Sequence, residues 1–443
     1  MHRLAGGFDS DYVIAAIADI NGVWRGKRLP TGLIDKAMQG GLRMPLSTLV
    51  VDIWGRDVLA SGQVFETGDS DGIVAPTERG LLPVSWMERP TAFLPLWMAN
   101  EDGSPYAGDP RRALAAIVAR FRAQGLTPVT ATELEFYLVD PKAHRARPPK
   151  SPVNGKRLAF EDVLSADELD TFDGFLADVY AASALQDIPA EAAISEGGCG
   201  QFEVNLQHTD DPLRTADDAI LFKRLVKGVA RRHGLAASFM AKPYGEDAGN
   251  GFHIHFSLLD ENGRNAFDDG SAEGSSVLKH AVGGLLAAMD QSMLLFAPHQ
   301  NSYRRLREGT HAPVARAWGY ENRTAAIRIP GGSSKARRIE HRVAGADTNP
   351  YLVLTAMLGA ALIGIEGQAA PADPIEGNAY ALGLPSLPTD WGSALKAFEH
   401  GELITEILNP TLHGMIAACK RQEMARFAAE VTALEYQSYL DVV

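Results

Sequence analysis

Thr130-Ala131-Thr132-Glu133-Leu134-Glu135-Phe136-Tyr137-Leu138 is the stretch from which the fold is read. Side chains of a β-strand alternate between faces, so Leu134, Phe136 and Leu138 point one way and Glu133 and Glu135 the other. Two acids share one wall of a sheet whose other wall is apolar. The division recurs in Gln201-Phe202-Glu203-Val204-Asn205-Leu206, where Gln201, Glu203 and Asn205 oppose the apolar residues. It recurs in Phe252-His253-Ile254-His255-Phe256-Ser257-Leu258, which sets His253, His255 and Ser257 on the polar side. In Arg338-Ile339-Glu340-His341-Arg342-Val343, Arg338, Glu340 and Arg342 alternate with Ile339, His341 and Val343. An alternating strand is ordinarily half exposed, its polar face simply solvated. Four strands whose polar faces carry carboxylates, imidazoles and guanidiniums are a different case. Carboxylates that converge repel one another and resist desolvation, so they need cations. An oxygen-rich set with one imidazole suits Mg²⁺ or Mn²⁺ better than Zn²⁺.

Outward from these strands, the pattern predicts a mixed chain. Short β-like runs at Val13 to Ile20, Thr48 to Ile53 and Gly72 to Pro76 alternate with turns up to Pro105, which predicts a small N-terminal domain over residues 1–105. Asp109-Pro110-Arg111-Arg112 reads as a helix start, with Asp as cap and Pro in the first turn. The larger domain, residues 106–443, is expected to add strands at Ala325 to Pro330 and Ile339 to Val343 to the three above. Its long helices are expected at Ala216 to His233, Ser276 to Leu295 and from Glu402 onward. The fold class is α+β. Pro141 to Gly155, rich in Pro, Lys and Arg, is expected to be an exposed loop.

The bulk numbers exclude several classes of function. The chain has 443 residues, 46% of them apolar and 22% charged, within the globular range. Its net charge of −13 argues against a nucleic acid partner and suits small cations better. Cys199 and Cys419 are too few for a disulfide framework, which points to a reducing, cytoplasmic setting. Met1-His2-Arg3-Leu4-Ala5 has no apolar signal core, and Tyr351 to Ile365 is too short to span a bilayer, so it is expected to be a buried helix.

No standard nucleotide loop is present. Gly22-Val23-Trp24-Arg25-Gly26-Lys27-Arg28 is too short for a Walker loop and reads as a turn, and Gly198-Cys199-Gly200 lacks the third glycine of a dinucleotide fingerprint. Basic residues crowd instead between Arg304 and Arg342, some between apolar neighbours, as in Ile327-Arg328-Ile329. Phosphate or carboxylate recognition explains such guanidiniums better than a solvated face does in so acidic a chain.

Taken in order, Thr132 to Glu135, Glu196-Gly197-Gly198-Cys199-Gly200-Gln201-Phe202-Glu203, Gly249 to His255, Asn301 to Leu306, Asn322-Arg323 to Pro330 and Lys335 to Glu340 resemble the glutamine synthetase superfamily over nearly the whole chain. The resemblance implies an N-terminal β-grasp domain and a catalytic domain built on an antiparallel sheet with helices. It implies double rings, a dodecamer, with each active site between neighbouring subunits. One metal position would use Glu135, Glu196 and Glu203, and another Glu133, His253 and Glu340, with two or three Mg²⁺ or Mn²⁺ per site. Gly249, Arg305, Arg323 and Arg342 match positions at glutamate or the transferred phosphate, Arg323 being catalytic. His255, Ser257, Arg328, Lys335 and Arg338 match positions around ATP. The implied reaction converts glutamate to γ-glutamyl phosphate, which an amine then attacks.

The chain departs from ammonia-using relatives at the flap, where the acid before Ala-Pro-Val is replaced: Gly309-Thr310-His311-Ala312-Pro313-Val314. His311 can act as a base near neutral pH but offers no fixed anion to ammonium. Ala248 likewise falls where those enzymes carry Asn. Asp19 to Arg28, Met240 to Tyr244 and Val343 to Asp347 resemble γ-glutamylpolyamine synthetases, so the expected amine is a polyamine such as putrescine or spermine, with another primary amine as the alternative. Asp52, from a neighbouring subunit, is the candidate acid near it, and Trp54 and Trp318 are candidate linings. Asn378-Ala379-Tyr380 resembles a tyrosine adenylylated in some relatives, but its sequel differs and no such control is expected. The competing expectations are an ordinary glutamine synthetase using ammonia and a catalytically silent ligand-binding regulator.

Overall fold

The computed structural model of the protein describes residues 2–3, 9–143 and 145–443. Most of the opening segment read above therefore lies outside the described residues. Two sheets organise the chain. The first contains β1 (Tyr12–Ala18), β2 (Trp24–Pro30), β3 (Leu42–Pro45), β4 (Asp71–Pro76) and β5 (Thr91–Ala99), in the order β2-β1-β5-β4-β3. β1 and β5 are parallel at its centre and the other pairs on this path are antiparallel, a β-grasp arrangement.

Two expectations for this region fail. Thr48 to Ile53 is not a strand, because the chain turns through a 3-10 helix at Leu46–Val50 that buries Leu49 and Val50 without a sheet partner. The stretch from Gly22 to Arg28 is a turn only at its start. Gly22, at φ +70°, makes the reversal, and Trp24–Pro30 then pairs with β1 along its length.

The second sheet runs β7 (Ala190–Ser195), β8 (Gln201–Thr209), β6 (Thr127–Val139), β9 (Phe252–Leu259), β12 (Ile339–His341), β11 (Ile327–Ile329) and β10 (Trp318–Tyr320), in that spatial order. It is antiparallel except for β10 and β11, which run parallel. Along β6 the expected alternation holds: Leu134, Phe136 and Leu138 are buried, and Glu133 and Glu135 face the other side. The apolar wall packs on helices. Among them are α1 (Pro110–Ala123), capped by the Asp109 side chain, and α3 (Pro212–Arg232), reached after α2 (Asp173–Leu185). α4 (Ser276–Phe296) and α5 (Pro350–Glu366) lie side by side, and α5 is buried over nearly all its length. Among the described residues no helix is long and apolar enough to cross a membrane.

α2, the strand β7 and α6 (Trp391–Glu399) were not anticipated. The segment from Glu402 is not one helix but three, because Asn409-Pro410 starts α7 (Pro410–Ala429) afresh and Thr432 caps another at Ala433–Tyr439.

A buried polar knot ties the first sheet to α7. Lys420 Nζ donates to Asn21 Oδ1 at 2.6 Å and to Glu423 Oε2 at 2.8 Å, while Glu423 Oε1 accepts the Ile53 N–H at 2.8 Å. Asn21 Nδ2 also donates to Glu423 Oε1, at 3.2 Å. Glu423 is 0% exposed, so removing its charge strands Lys420 in the interior. Glu423→Ala is expected to cost about 3 kcal/mol or more, read as an earlier urea midpoint. A midpoint unchanged from that of the unsubstituted protein would show that the knot carries no stability.

Candidate functional site

Strand register brings the acids together. Glu203 on β8 stands opposite Glu135 on β6, and Asn205 opposite Glu133. On the far side of β6, His253 stands opposite Glu133. His255 and Arg328 both stand opposite Glu340, one on each flank of β12. One donor atom each from Glu133, Glu203 and His253 lie within 4.8 Å of one another, and the same holds for Glu133, His255 and Glu340. This differs from the expected division, which grouped Glu203 with Glu135 and Glu196 and left His255 out. Glu133 sits at the junction because both imidazoles reach it, His253 Nδ1 at 3.1 Å and His255 Nε2 at 2.8 Å. Arg338 Nε donates to His255 Nδ1 at 3.2 Å, so the tautomer that donates to Glu133 from Nε2 fits the network.

Each carboxylate meets its charge differently. Burial opposes ionisation of Glu133, but the hydrogen bonds from His253 and His255 outweigh it and hold this carboxyl far below the usual range. Glu340 is buried, yet Arg342, with further help from the histidines, keeps its carboxyl low, and Arg328 Nη1 donates to it at 2.8 Å. Glu135 Oε2 accepts the Gly251 N–H at 2.6 Å. Glu203 accepts only a long hydrogen bond, from Asn205 Nδ2 at 3.3 Å, and burial, then Glu133, Glu135 and Glu196, push it up to about 9. Burial and the neighbouring Glu135 push Glu196 up to about 7. Acids held protonated near neutrality by one another are a donor set that a divalent cation fits.

The guanidiniums frame this cluster. Arg305 is buried, its Nη1 donating to the Val343 carbonyl at 2.9 Å, and Arg342 Nε donates to the Arg323 carbonyl at 3.2 Å while its Nη1 pairs with Glu340. Arg323 is exposed on the turn before β11 and acts on Glu196. Gly249 and Gly251 let backbone approach: a Cβ on Gly249 would meet Arg305 Cγ at 2.7 Å, and one on Gly251 would meet His253 Nε2 at 2.8 Å. Gly249 is also held by Gln201 Nε2, which donates to its carbonyl at 3.0 Å.

Beside the cluster lies a cleft of about 390 Å³, lined by Glu133, His255, Ser257, Lys335 and Arg338. Four of the five expected ATP positions thus share one cavity, whereas the fifth, Arg328, is turned to Glu340 and Glu321. Glu191 and His208 also line it and were missed. His208 sits just past the alternating run on β8, and β7, which carries Glu191, was not recognised as a strand.

Four expected residues, Asp52, Trp54, Trp318 and His311, belong neither to the two acid groups nor to the lining of this cleft. Asp52 is buried against the first sheet, Oδ1 accepting the N–H groups of Trp54 and Arg56 and Oδ2 accepting from Gln422. Trp318 is largely buried, its Nε1 donating to the Ala372 carbonyl at 2.6 Å, and it lines a different cavity, with Lys279, His280 and Tyr320. His311 is exposed on a loop of its own.

Clustered acids flanked by buried arginines and an adjoining cleft define a centre suited to cations and phosphates. Residues 107–439 match the family model described as the catalytic domain of glutamine synthetase, and the chain belongs to the glutamine synthetase family as one of its ligases. It is 38% identical to the γ-glutamylputrescine synthetase PuuA of Escherichia coli strain K12, over 97% of this chain and 91% of that one. It is 32% identical to the γ-glutamylethanolamide synthetase GlnA4 of Streptomyces coelicolor, over 98% and 94%. A glutamine synthetase of Pyrococcus abyssi is 31% identical over 97% and 91%. The solved structure of a GmaS/ADP complex superposes with a TM-score of 0.84 at 28% identity, covering 98% of this chain and 97% of that one. Members of this family use ATP and divalent metal ions.

Glu203 and Glu196 sit above the 4.5 of a free glutamate. The folded protein therefore keeps protons that the unfolded chain has released, and this contribution to stability is lost as pH rises from about 4.5 through 7 to 9. A cation relieves the repulsion most where these carboxyls are forced to ionise. Differential scanning fluorimetry of the metal-stripped protein is expected to show a larger Mg²⁺-induced rise in Tm at about pH 8.5 than at about pH 6. An equal rise at both would mean that Mg²⁺ does not engage these acids.

Proposed function

We propose that this ligase joins the γ-carboxylate of glutamate to an organic amine, a polyamine such as putrescine or spermine, through a γ-glutamyl phosphate formed with ATP. The observation that carries the reading is His311. An exposed imidazole occupies the flap position where ammonia-using relatives hold an acid, so that position presents a base in place of a fixed anion. The 38% identity to a putrescine-using relative, above the 31% to a glutamine synthetase, supports it.

In this reading Glu133, Glu135, Glu196, Glu203, His253 and Glu340 hold two or three Mg²⁺ or Mn²⁺ ions. These ions would supply charge neutralisation on the γ-phosphate. His255, Ser257, Lys335, Arg338 and Arg328 orient ATP in and beside the cleft. Gly249, Arg305 and Arg342 seat glutamate, whose carboxylates match the buried guanidiniums. Arg323 balances charge on the transferring phosphoryl group and on the leaving phosphate. His311 takes the proton the amine must lose before its nitrogen can attack. Residues 1–105 and 106–443 form two domains of a cytoplasmic protein that assembles as a double ring. In that ring Asp52 would approach the amine from a neighbouring subunit, its side chain already held by Trp54, Arg56 and Gln422.

Phosphate release with ATP and glutamate tests the reading across ammonium, putrescine, spermine, ethanolamine, isopropylamine and aniline. The expected result is a kcat/KM for putrescine or spermine at least about tenfold above ammonium, with His311→Glu shifting the ratio back toward ammonium. Ammonium as the best substrate would overturn it in favour of an ordinary glutamine synthetase. Binding of glutamate and ATP without turnover of any amine would point to a regulator.

Glu135→Gln keeps the bulk at a position proposed to hold a cation but removes the charge. It is expected to lower kcat by more than about a hundredfold with little change in Tm. Activity near that of the unsubstituted enzyme would remove Glu135 from the proposed ligand set.

A further inference from the structure

The connection between α5 and α6 carries only one short 3-10 turn, Ala379–Ala381. Structureless connections of this length inside a compact fold ordinarily have a function. This one stitches together the two loops that matter most to the chemistry proposed above. Asn322 Nδ2 donates to the Gly377 carbonyl at 2.7 Å, and the Ala379 N–H donates to Thr324 Oγ1 at 3.0 Å, so both residues flanking Arg323 are tied to it. One residue further on, Tyr380 Oη donates to the carbonyl of Ala312 at 2.9 Å, beside His311. The Leu387 N–H then meets the Val314 carbonyl at 2.8 Å.

His311 has a positive φ of 56°, in the left-handed region. A non-glycine residue holds that conformation only where its surroundings over-determine it. The surroundings do so from both sides. Thr310 Oγ1 donates to the carbonyls of Arg305 and Arg307, and Tyr380 holds Ala312. Burial holds the Tyr380 phenol above its usual range, with Arg305 and Arg342 acting against that shift, which places the ring near both arginines.

We propose that Tyr380 is a positioning residue for the amine step, its hydroxyl fixing the His311 loop and its backbone neighbour Ala379 coupling that loop to the Arg323 turn. The proposal rests on the reading of His311 as the flap residue. With the loop held, the amine nitrogen attacks the acyl phosphate carbon: a C–N bond forms, the C–O bond to phosphate breaks, and nitrogen gives a proton to a base. With the loop loosened, water attacks the same carbon, and glutamate and phosphate are returned with no amide formed.

The test measures phosphate released per γ-glutamyl amide made, in the full-length enzyme with putrescine, or with ammonium chloride if putrescine is not turned over. Tyr380→Phe keeps the ring and removes one hydrogen bond. It is expected to raise this ratio from near one by about fivefold and to raise the amine KM by a similar factor. The KM for glutamate and the Tm should stay near those of the unsubstituted enzyme. Thr324→Val, which removes the acceptor at the other end of the strap, is expected to raise the ratio in the same direction. A ratio and amine KM unchanged in both variants would overturn the proposal. So would a Tyr380→Phe enzyme that loses Tm and glutamate affinity together, the mark of a merely structural tyrosine. Failure of putrescine as substrate, with the ratio still rising on ammonium, would instead count against the polyamine reading alone.

Discussion

The repulsion between carboxylates gathered on one wall of a sheet is the constraint that the rest of this structure answers. Glu203 faces Glu135 across a strand pair, and Glu133 lies two residues along the same wall. Like charges this close cannot all stay ionised without compensation. Glu133 takes two imidazoles, Glu340 takes two arginines, Glu135 takes a backbone N–H, and Glu203 and Glu196 retain protons. The basic residues between Arg304 and Arg342 follow from the same need, as does Gly251, whose missing side chain lets its N–H reach Glu135.

How much of this was legible in the sequence depends on which physical quantity each feature needs. Period two identifies a face, so Glu133, Glu135, Glu203, His253 and Glu340 could be assigned to one polar wall before any strand was paired. It does not identify the opposite residue. The pairing of His255 rather than His253 with Glu340 is a matter of register. Glu196 precedes β8 in a loop, where no periodicity marks it, and only resemblance brought it into the set. Thr48 to Ile53 looked like a strand because its β-branched residues suit one, but tertiary packing turned it into a 3-10 helix. α2 was missed because its polar face is sparse and its apolar residues surround it instead of forming a stripe.

The loops carry the distinctions that the sheet does not. The sheet and its acids answer to charge, whereas the His311 loop, the Arg323 turn and the connection that joins them answer to geometry. All three are held chiefly by side chains that meet backbone groups, those of Asn322, Thr324, Tyr380 and Thr310, so their positions depend on a few particular residues.

The polar knot beneath the first sheet has a consequence for the order in which the protein forms. Asn21 and Glu423 lie 402 residues apart, and Glu423 also accepts the backbone N–H of Ile53. A chain leaving the ribosome completes β1 and β2 long before α7 exists, so the loop between and beyond them waits with its amides open to water. The first sheet to be synthesised is therefore among the last to be finished. Until the distant helix arrives, Asn21 and the Ile53 amide lack the partners that Lys420 and Glu423 supply.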